Sequence, residues 1–205
     1  MAPKVSEEHR EGRRAELLDS ALACFSEHGY EATTVDQIVQ TAGASKGMLY
    51  TYFDSKEQMF VELVNQRTRQ FLGRLNAAFA TLPSAWDKLS YLLESYRLAP
   101  LDGDARKWTA VYLEFFLSTS RSEVRSAFMQ RRYEQFLNLL VEVVEEGKQA
   151  GEFRLNVNSA AVAALYWAVS DGIHLHASQL PNWKHYDAVY KAAVQMLHQY
   201  LRVES

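Results

Sequence analysis

The chain has 205 residues, 48% of them hydrophobic, so it can bury the core of one large domain or two small ones. A formal net charge of −3 excludes a generally basic nucleic-acid coat, so any DNA binding must come from a few placed groups. The single Cys24 excludes an intramolecular disulfide, and no run of about 18 apolar residues predicts a membrane span. We therefore expect a cytoplasmic protein without membrane contact.

The first helical pattern covers residues 13–28, where apolar residues recur at spacings of three and four. Gly29 follows this pattern and can take the left-handed conformation that ends a helix. The second helix begins at Thr34, which forms a capping-box pattern with Gln37 three residues later. These signals predict two helices joined by a short loop.

A tight turn follows the second helix and leads into a third. Gly43 permits the sharp turn, and Ser45 is a candidate N-cap for a short helix over residues 46–53. Ser55 and Gln58 repeat the capping-box pattern at the start of a fourth helix. Helix starts this close together predict a helix-turn-helix corner.

The short third helix has two faces. Leu49 and Phe53 stand four residues apart and should anchor it to the first helix. Lys46 and Tyr50 share another face, and Gly47 has no side chain to hold the backbone away from DNA. In the major groove a lysine can reach guanine O6 and N7, and a tyrosine can offer its hydroxyl or pack on a thymine methyl group. The alternative is that the tyrosines are ordinary packing residues of an amphipathic helix.

Residues 33–60 have the sequence TTVDQIVQTAGASKGMLYTYFDSKEQMF, which resembles the DNA-binding signature of the TetR family of bacterial transcriptional regulators. The segment combines Thr-Thr, Ala-Gly, Ser-Lys-Gly, Leu-Tyr-x-Tyr-Phe and Ser-Lys-Glu in the family's order and spacing. The resemblance covers residues 13–60, and the rest agrees in length and all-helical character. It implies a helix-turn-helix DNA-binding domain over residues 1–55 and a helical ligand-binding and dimerisation domain over residues 56–205.

By position, the resemblance implies two classes of DNA contact. Base edges would be approached by Lys46, Gly47 and Tyr50, and phosphates would be held by Thr33, Thr34, Thr51, Tyr52 and Lys56. Thr34 and Lys56 also lie at helix starts, where free N–H groups and the helix dipole favour an anion. The family often has Thr where this chain has Met48, and a thioether cannot donate a hydrogen bond to a phosphate. The half-site sequence is therefore left open.

Helical patterns continue to the C-terminus, with proline stops at positions 83, 100 and 181. They predict further helices over residues 56–81, 84–99, 107–118, 120–150, 158–179 and 182–200. The predicted fold class is therefore all-α, with about nine helices in an N-terminal helix-turn-helix unit and a C-terminal helical body.

Aromatic residues crowd the middle helices of this body. Several have polar tips, and such groups line cavities that hold flat or apolar molecules with a few oriented hydrogen bonds. The best lining candidates are Tyr96, Trp108, Tyr112 and Phe115. TetR-like regulators bind an inducer in this region, so the resemblance implies a small-molecule effector of apolar or aromatic character. The alternative is that these aromatic residues fill the core of a helical bundle.

The predicted helix over residues 158–179 is apolar almost all round and must be buried on several sides. In TetR-like proteins this helix and the one before it build an intersubunit bundle, so the resemblance implies a homodimer. His174 and His176 are two residues apart on a helix and point in different directions, which does not favour a shared metal. We expect neither a metal nor a cofactor.

The expected function is that of a transcriptional repressor, released from a palindromic double-stranded DNA operator when a small molecule binds the C-terminal domain. Two alternatives stay open: an architectural or protein-docking DNA-binding dimer, and a helical enzyme or carrier of an apolar molecule. No nucleophile–base pair, phosphate-binding loop, metal-ligand spacing or carboxylate pair in the sequence favours an enzyme. Turnover separates the classes, because a sensor binds its molecule unchanged.

Overall fold

The computed structural model describes residues 7–97, 103–180 and 183–202, without the side chains of residues 96, 97 and 121. Over these ranges the chain forms nine α-helices, a short 3-10 helix at Thr119–Arg121 and no strand. In chain order the helices are α1 (Glu7–His28), α2 (Val35–Thr41), α3 (Lys46–Tyr50), α4 (Lys56–Phe79), α5 (Ala85–Arg97), α6 (Gly103–Leu117), α7 (Glu123–Gln149), α8 (Ser159–Gln179) and α9 (Tyr186–Leu201). The prediction of an all-α fold with about nine helices is confirmed. None of the helices in the described part is long and apolar enough to cross a membrane.

The described residues form two compact units. The first contains residues up to 72 together with residues 107–122, and the second contains residues 73–106 and those from 123 onward. The first unit thus holds α1 to α3, most of α4 and most of α6. This grouping reflects helix packing, and the functional division at residue 55 stays a prediction.

In the first unit, α1 is longer than its apolar pattern predicts. The helix begins at Glu7 instead of residue 13. Its first two turns carry no apolar side chain that is buried, so the apolar pattern could not reveal them. Glu7 and Glu8 lie in the first turn, where the helix dipole favours negative charge. The apolar stripe itself is confirmed, since Leu17, Ala21 and Phe25 have no exposed surface.

In the helix-turn-helix, α2 packs against α1 and α3 packs against α2, and each of the two short segments buries apolar side chains completely. Ile38 anchors α2, and Leu49 and Phe53 anchor α3, with exposed fractions of 0%, 0% and 1%. Helix α3 ends at Tyr50 instead of residue 53, and Phe53 reaches the core from the turn that follows. The burial of Leu49 and Phe53 agrees with their predicted role as anchors, while their packing on the first helix stays a prediction.

In the second unit, α5, α7, α8 and α9 pack against one another. Helix α7 begins at Glu123 instead of residue 120, because Ser120 belongs to the preceding 3-10 helix. Asn158 caps α8 as predicted, accepting a hydrogen bond from the Ala161 N–H at 3.0 Å. Helix α9 begins at Tyr186, while the predicted start at residue 182 lies outside the described residues.

Helix α8 buries one side and exposes the other. Tyr166 and Trp167 are buried, whereas Leu165 and Val169 are 59% and 37% exposed. Helix α9 also exposes apolar side chains, at Val189, Met196 and Tyr200. Helix α7 buries Phe136, Leu140, Val143 and Val144 but leaves Val124 and Tyr133 67% and 47% exposed. The single chain therefore exposes apolar side chains on α7, α8 and α9, and the pairing of α7 and α8 between two subunits stays a prediction.

Candidate nucleic-acid interface

Two helix caps and one glycine fix the geometry of the helix-turn-helix. The Thr34 hydroxyl accepts a hydrogen bond from the Gln37 N–H at 3.3 Å, and the Gln37 side chain accepts one from the Thr34 N–H at 2.8 Å. Gly43 has a φ of +57°, and the Ser45 hydroxyl accepts from the Met48 N–H at 3.1 Å. Because both helix starts are capped by side chains, the short helices α2 and α3 hold a defined mutual orientation.

Helix α3 presents a polar face to solvent. Lys46, Gly47 and Tyr50 are all exposed, and Tyr50 keeps 51% of its surface although the adjacent Leu49 is fully buried. A tyrosine needed for core packing would not stay half in water, so Tyr50 is available to a partner. Tyr52 is only partly buried. The structure thus brings the three predicted base-contacting residues together on one accessible surface.

Lys46 is paired with Asp36, a partner that the sequence pattern did not reveal. The Lys46 ammonium lies 2.8 Å from the Asp36 carboxylate, and this hydrogen bond raises the pKa of Lys46 above its ordinary value. Both side chains are more than half exposed, so the pair can open easily. Asp36 therefore holds Lys46 at the surface of α2 and α3, and a base contact by Lys46 must compete with it.

Arg13 connects α1 to the turn and to α3. Its Nε lies 3.3 Å from the Met48 sulfur, and its Nη2 lies 3.5 Å from the Gly43 carbonyl oxygen. It also pairs with Glu16. Met48, which stands where the family often has Thr, is thus an acceptor for Arg13, and 38% of its surface remains exposed.

The predicted phosphate-contacting threonines and tyrosine fall into different environments. Thr34 and Thr51 are exposed, although the Thr51 hydroxyl donates to the Met48 carbonyl at 2.6 Å. Thr33 is only 1% exposed. Its hydroxyl lies 3.1 and 2.6 Å from the carbonyl oxygens of Cys24 and Gly29. The structure brings Thr34 and Thr51 to the surface and turns Thr33 inward.

Lys56 also points inward. Its ammonium lies 2.8, 3.0 and 2.8 Å from the carbonyl oxygens of Tyr30, Glu31 and Thr33. It also lies 4.8 Å from the centre of the Tyr30 ring. An ammonium has three N–H donors, so three carbonyls saturate it. A phosphate contact by Lys56 would have to displace one of these carbonyls.

Two of the four predicted ligand-lining residues pack against aromatic residues of the first unit. Phe115 has no exposed surface and meets Tyr30 and Phe60 at centroid distances of 5.0 and 4.6 Å. Trp108 stacks on Phe60 at 5.5 Å, and the Arg67 guanidinium lies 4.0 Å from its ring centre. Tyr112 is partly buried on α6, and the Tyr96 side chain lies outside the described residues.

A surface groove of about 590 Å³ lies between α5 and α9 in the second unit. Its lining includes Tyr91, Glu94, Tyr190 and Lys191, and the Tyr190 hydroxyl donates to the Glu94 carboxylate at 3.1 Å. Of the predicted lining residues whose side chains are described, Trp108, Tyr112 and Phe115 do not border this groove. A ligand cavity formed by those four residues stays a prediction.

Two protein-family models match the chain. Residues 17–63 match the one described as bacterial regulatory proteins, tetR family, and residues 89–186 match the one described as tetracyclin repressor-like, C-terminal domain. The first match contains the whole capped helix-turn-helix and the start of α4.

Similar proteins agree with these matches. An uncharacterized HTH-type transcriptional regulator, YfiR of Bacillus subtilis, is 31% identical over 84% of this chain and 83% of its own length. The HTH-type transcriptional repressor KstR2 of Rhodococcus jostii is 31% identical over 73% of this chain and 72% of its own. The solved structure of the regulator FadR from Bacillus subtilis, in complex with stearoyl-CoA, shares the fold with a TM-score of 0.76 at 21% identity, over 91% of this chain and 98% of that one. The chain belongs to the TetR family and is a DNA-binding transcriptional regulator.

Proposed function

We propose that this regulator is a repressor that binds a palindromic operator as a homodimer and leaves it when an apolar or aromatic small molecule binds. The observation that carries the proposal is the exposed face of α3, with Lys46 and Tyr50 held outward by the buried Leu49. A helix so anchored can enter a major groove without rearranging the core, since the residues that face the groove do not hold it in place.

The proposed contacts follow from the orientation of each side chain. Lys46, Gly47 and Tyr50 contact base edges, because all three lie on the exposed face of α3. Phosphates are held by exposed or partly exposed residues flanking that face, namely Thr34, Thr51 and Tyr52. Thr33 and Lys56 are bonded to backbone carbonyls, so we assign them to holding the loop beneath the phosphates.

Dimerisation follows from the exposed apolar surface of the second unit. Leu165 and Val169 on α8 and Met196 on α9 are 59%, 37% and 70% exposed. Exposed large apolar side chains on two helices that pack together support an interaction surface there. In a two-fold dimer the same surface meets itself, and two copies of α3 can enter major grooves about one helical turn of DNA, roughly 34 Å, apart.

Response to a small molecule is supported by the fold and by relatives. The FadR structure contains stearoyl-CoA, an acyl chain joined to a polar group. A molecule that binds more tightly to a dimer with wrongly spaced recognition helices shifts the population away from DNA. The relatives bear the names of regulators, which favours a sensor over the alternative of an enzyme or carrier.

The test is affinity selection from a random-sequence DNA pool, followed by sequencing of the retained duplexes. The proposal expects a short inverted repeat as the shared element. Recovery of DNA without a shared sequence would favour the architectural dimer instead. Apolar and aromatic compounds should then be screened. A compound that binds should raise the melting temperature of the protein, because a ligand stabilises the form that binds it, and it should release the selected duplex.

A further inference from the structure

The loop between α1 and α2, residues 29–34, is held by a residue more than eighty positions away on α6. The Glu114 carboxylate accepts hydrogen bonds from the Tyr30 N–H at 2.7 Å and the Glu31 N–H at 2.8 Å. Gly29 makes room for this approach, since a Cβ there would lie 2.8 Å from a Glu114 oxygen. Gly29 also has a φ of +84°, a left-handed conformation that favours glycine. Glu114, the loop and α1 all belong to the first unit.

Lys56 holds the same loop from its carbonyl side. Its ammonium bonds the carbonyls of Tyr30, Glu31 and Thr33, while the Glu114 carboxylate bonds the N–H groups of the first two. Hydrogen bonds that involve a charged group are about twice as strong as neutral ones. Five such bonds therefore fix a loop that has no regular secondary structure of its own.

The loop determines where helix α2 starts. Thr33 is the buried residue of this loop. The next residue, Thr34, is the N-cap of α2 and one of the proposed phosphate contacts. The aromatic core adds a second connection between α6 and the loop, since the Phe115 and Tyr30 rings meet edge to face at 5.0 Å. We therefore expect a change at Glu114 to reach the start of α2 through this loop.

We propose that Glu114 is a positioning residue for DNA binding, which fixes the α1–α2 loop and through it the DNA-facing start of α2. The inference rests on the proposed function and adds a position on α6 that controls operator affinity. A simple charge argument makes the opposite prediction, because removing an acidic group from a DNA-binding unit should strengthen binding to a polyanion. The sign of the effect therefore separates the two explanations.

The experiment compares Glu114→Gln with the wild type on a duplex selected from the random-sequence pool and on an unselected duplex of the same length. Glutamine keeps the size of the side chain, but its NH2 group faces one of the loop N–H groups and cannot accept from it. We expect about a tenfold weaker affinity for the selected duplex, the value of one charge-assisted hydrogen bond. The charge-matched control is Glu27→Gln, an exposed carboxylate in the last turn of α1, which should leave affinity unchanged or raise it.

Two further measurements separate positioning from loss of folded protein. Stoichiometric titration with DNA gives the active fraction, which the inference expects to stay near that of the wild type while the dissociation constant rises. Amide hydrogen exchange should become faster at Tyr30 and Glu31 in Glu114→Gln, because their acceptor is lost. Gly29→Ala should weaken the same contact, and combining it with Glu114→Gln should cost less than the sum of the single changes.

The outcomes are distinguishable. Selection of a shared sequence by the wild type, with equal affinity in Glu114→Gln, would overturn the inference and leave the proposed function intact. A reduced active fraction with an unchanged dissociation constant would also overturn it, since it would show a purely structural role. Failure of the wild type to select any sequence would overturn the proposed function, and this inference with it.

Discussion

Leu49 and Tyr50 are adjacent on α3 but face opposite environments. Alanine at position 49 should therefore lower the stability of the fold, and alanine at position 50 should lower the affinity for DNA. Leu49 has no exposed surface, whereas Tyr50 keeps 51% of its surface in water. Removing a fully buried leucine side chain costs about 2–5 kcal/mol of unfolding free energy, through lost transfer energy and the cavity left behind. Truncating a half-exposed tyrosine should cost about 1 kcal/mol or less. Of the two, only the tyrosine has the exposed surface that the proposed base contact requires.

The assay pairs chemical denaturation with DNA binding. Tyr50→Ala should lose about 1–3 kcal/mol of binding to the selected duplex and little on random DNA, because a base contact carries sequence information and a phosphate contact does not. Leu49→Ala should lower the free energy of unfolding, and any loss of DNA binding should come from a smaller fraction of folded protein. The matched control is Tyr133→Ala in the second unit, where the tyrosine is 47% exposed and should affect neither quantity. Equal losses on selected and random DNA for Tyr50→Ala would refute its role as a base-contacting residue.

Three further predictions concern the Lys46–Asp36 ion pair, the role of Lys56 in the α1–α2 loop and the proposed dimer surface on α8. Asp36→Asn frees Lys46 from its partner at 2.8 Å, so affinity for the selected duplex should rise more than affinity for random DNA, while the slope of log K against log salt should change little, as filter binding at several salt concentrations would show. Lys56→Met should weaken binding without changing that slope if Lys56 holds the loop; a slope lower by about one would instead establish a direct phosphate contact. Leu165→Glu should shift the protein toward monomer in sedimentation experiments, whereas Leu155→Glu, at an exposed leucine outside α8 and α9, should not.

The helix-turn-helix was predictable because its signals are local. Thr34 and Gln37 lie three residues apart, Gly43 sits in the turn, and both the capping box and the positive φ are present in the structure. Leu49 and Phe53 are buried as their four-residue spacing predicts. Each of these inferences needs only the chain within one or two helical turns, where spacing determines which side chains meet.

The polar partners were not predictable, since they join distant parts of the chain. Glu114 bonds residues more than eighty positions away, and no periodicity indicates that a carboxylate on α6 will meet the loop after α1. The same holds for Lys56. Its position at a helix start predicted a contact with a DNA phosphate, but its ammonium bonds three backbone carbonyls instead. The helices that form the dimer stay a prediction for a related reason, because the single chain leaves apolar side chains exposed on α7, α8 and α9 alike.

The most direct test of sequence-specific recognition by the exposed face of α3 is the ratio of affinities for a selected duplex and a random duplex at one moderate salt concentration. Fluorescence anisotropy measures both dissociation constants on the same protein. We predict that the wild type prefers the selected duplex by about 10³-fold or more, and that Tyr50→Ala loses much of this preference. Equal affinity of the wild type for the two duplexes would contradict it.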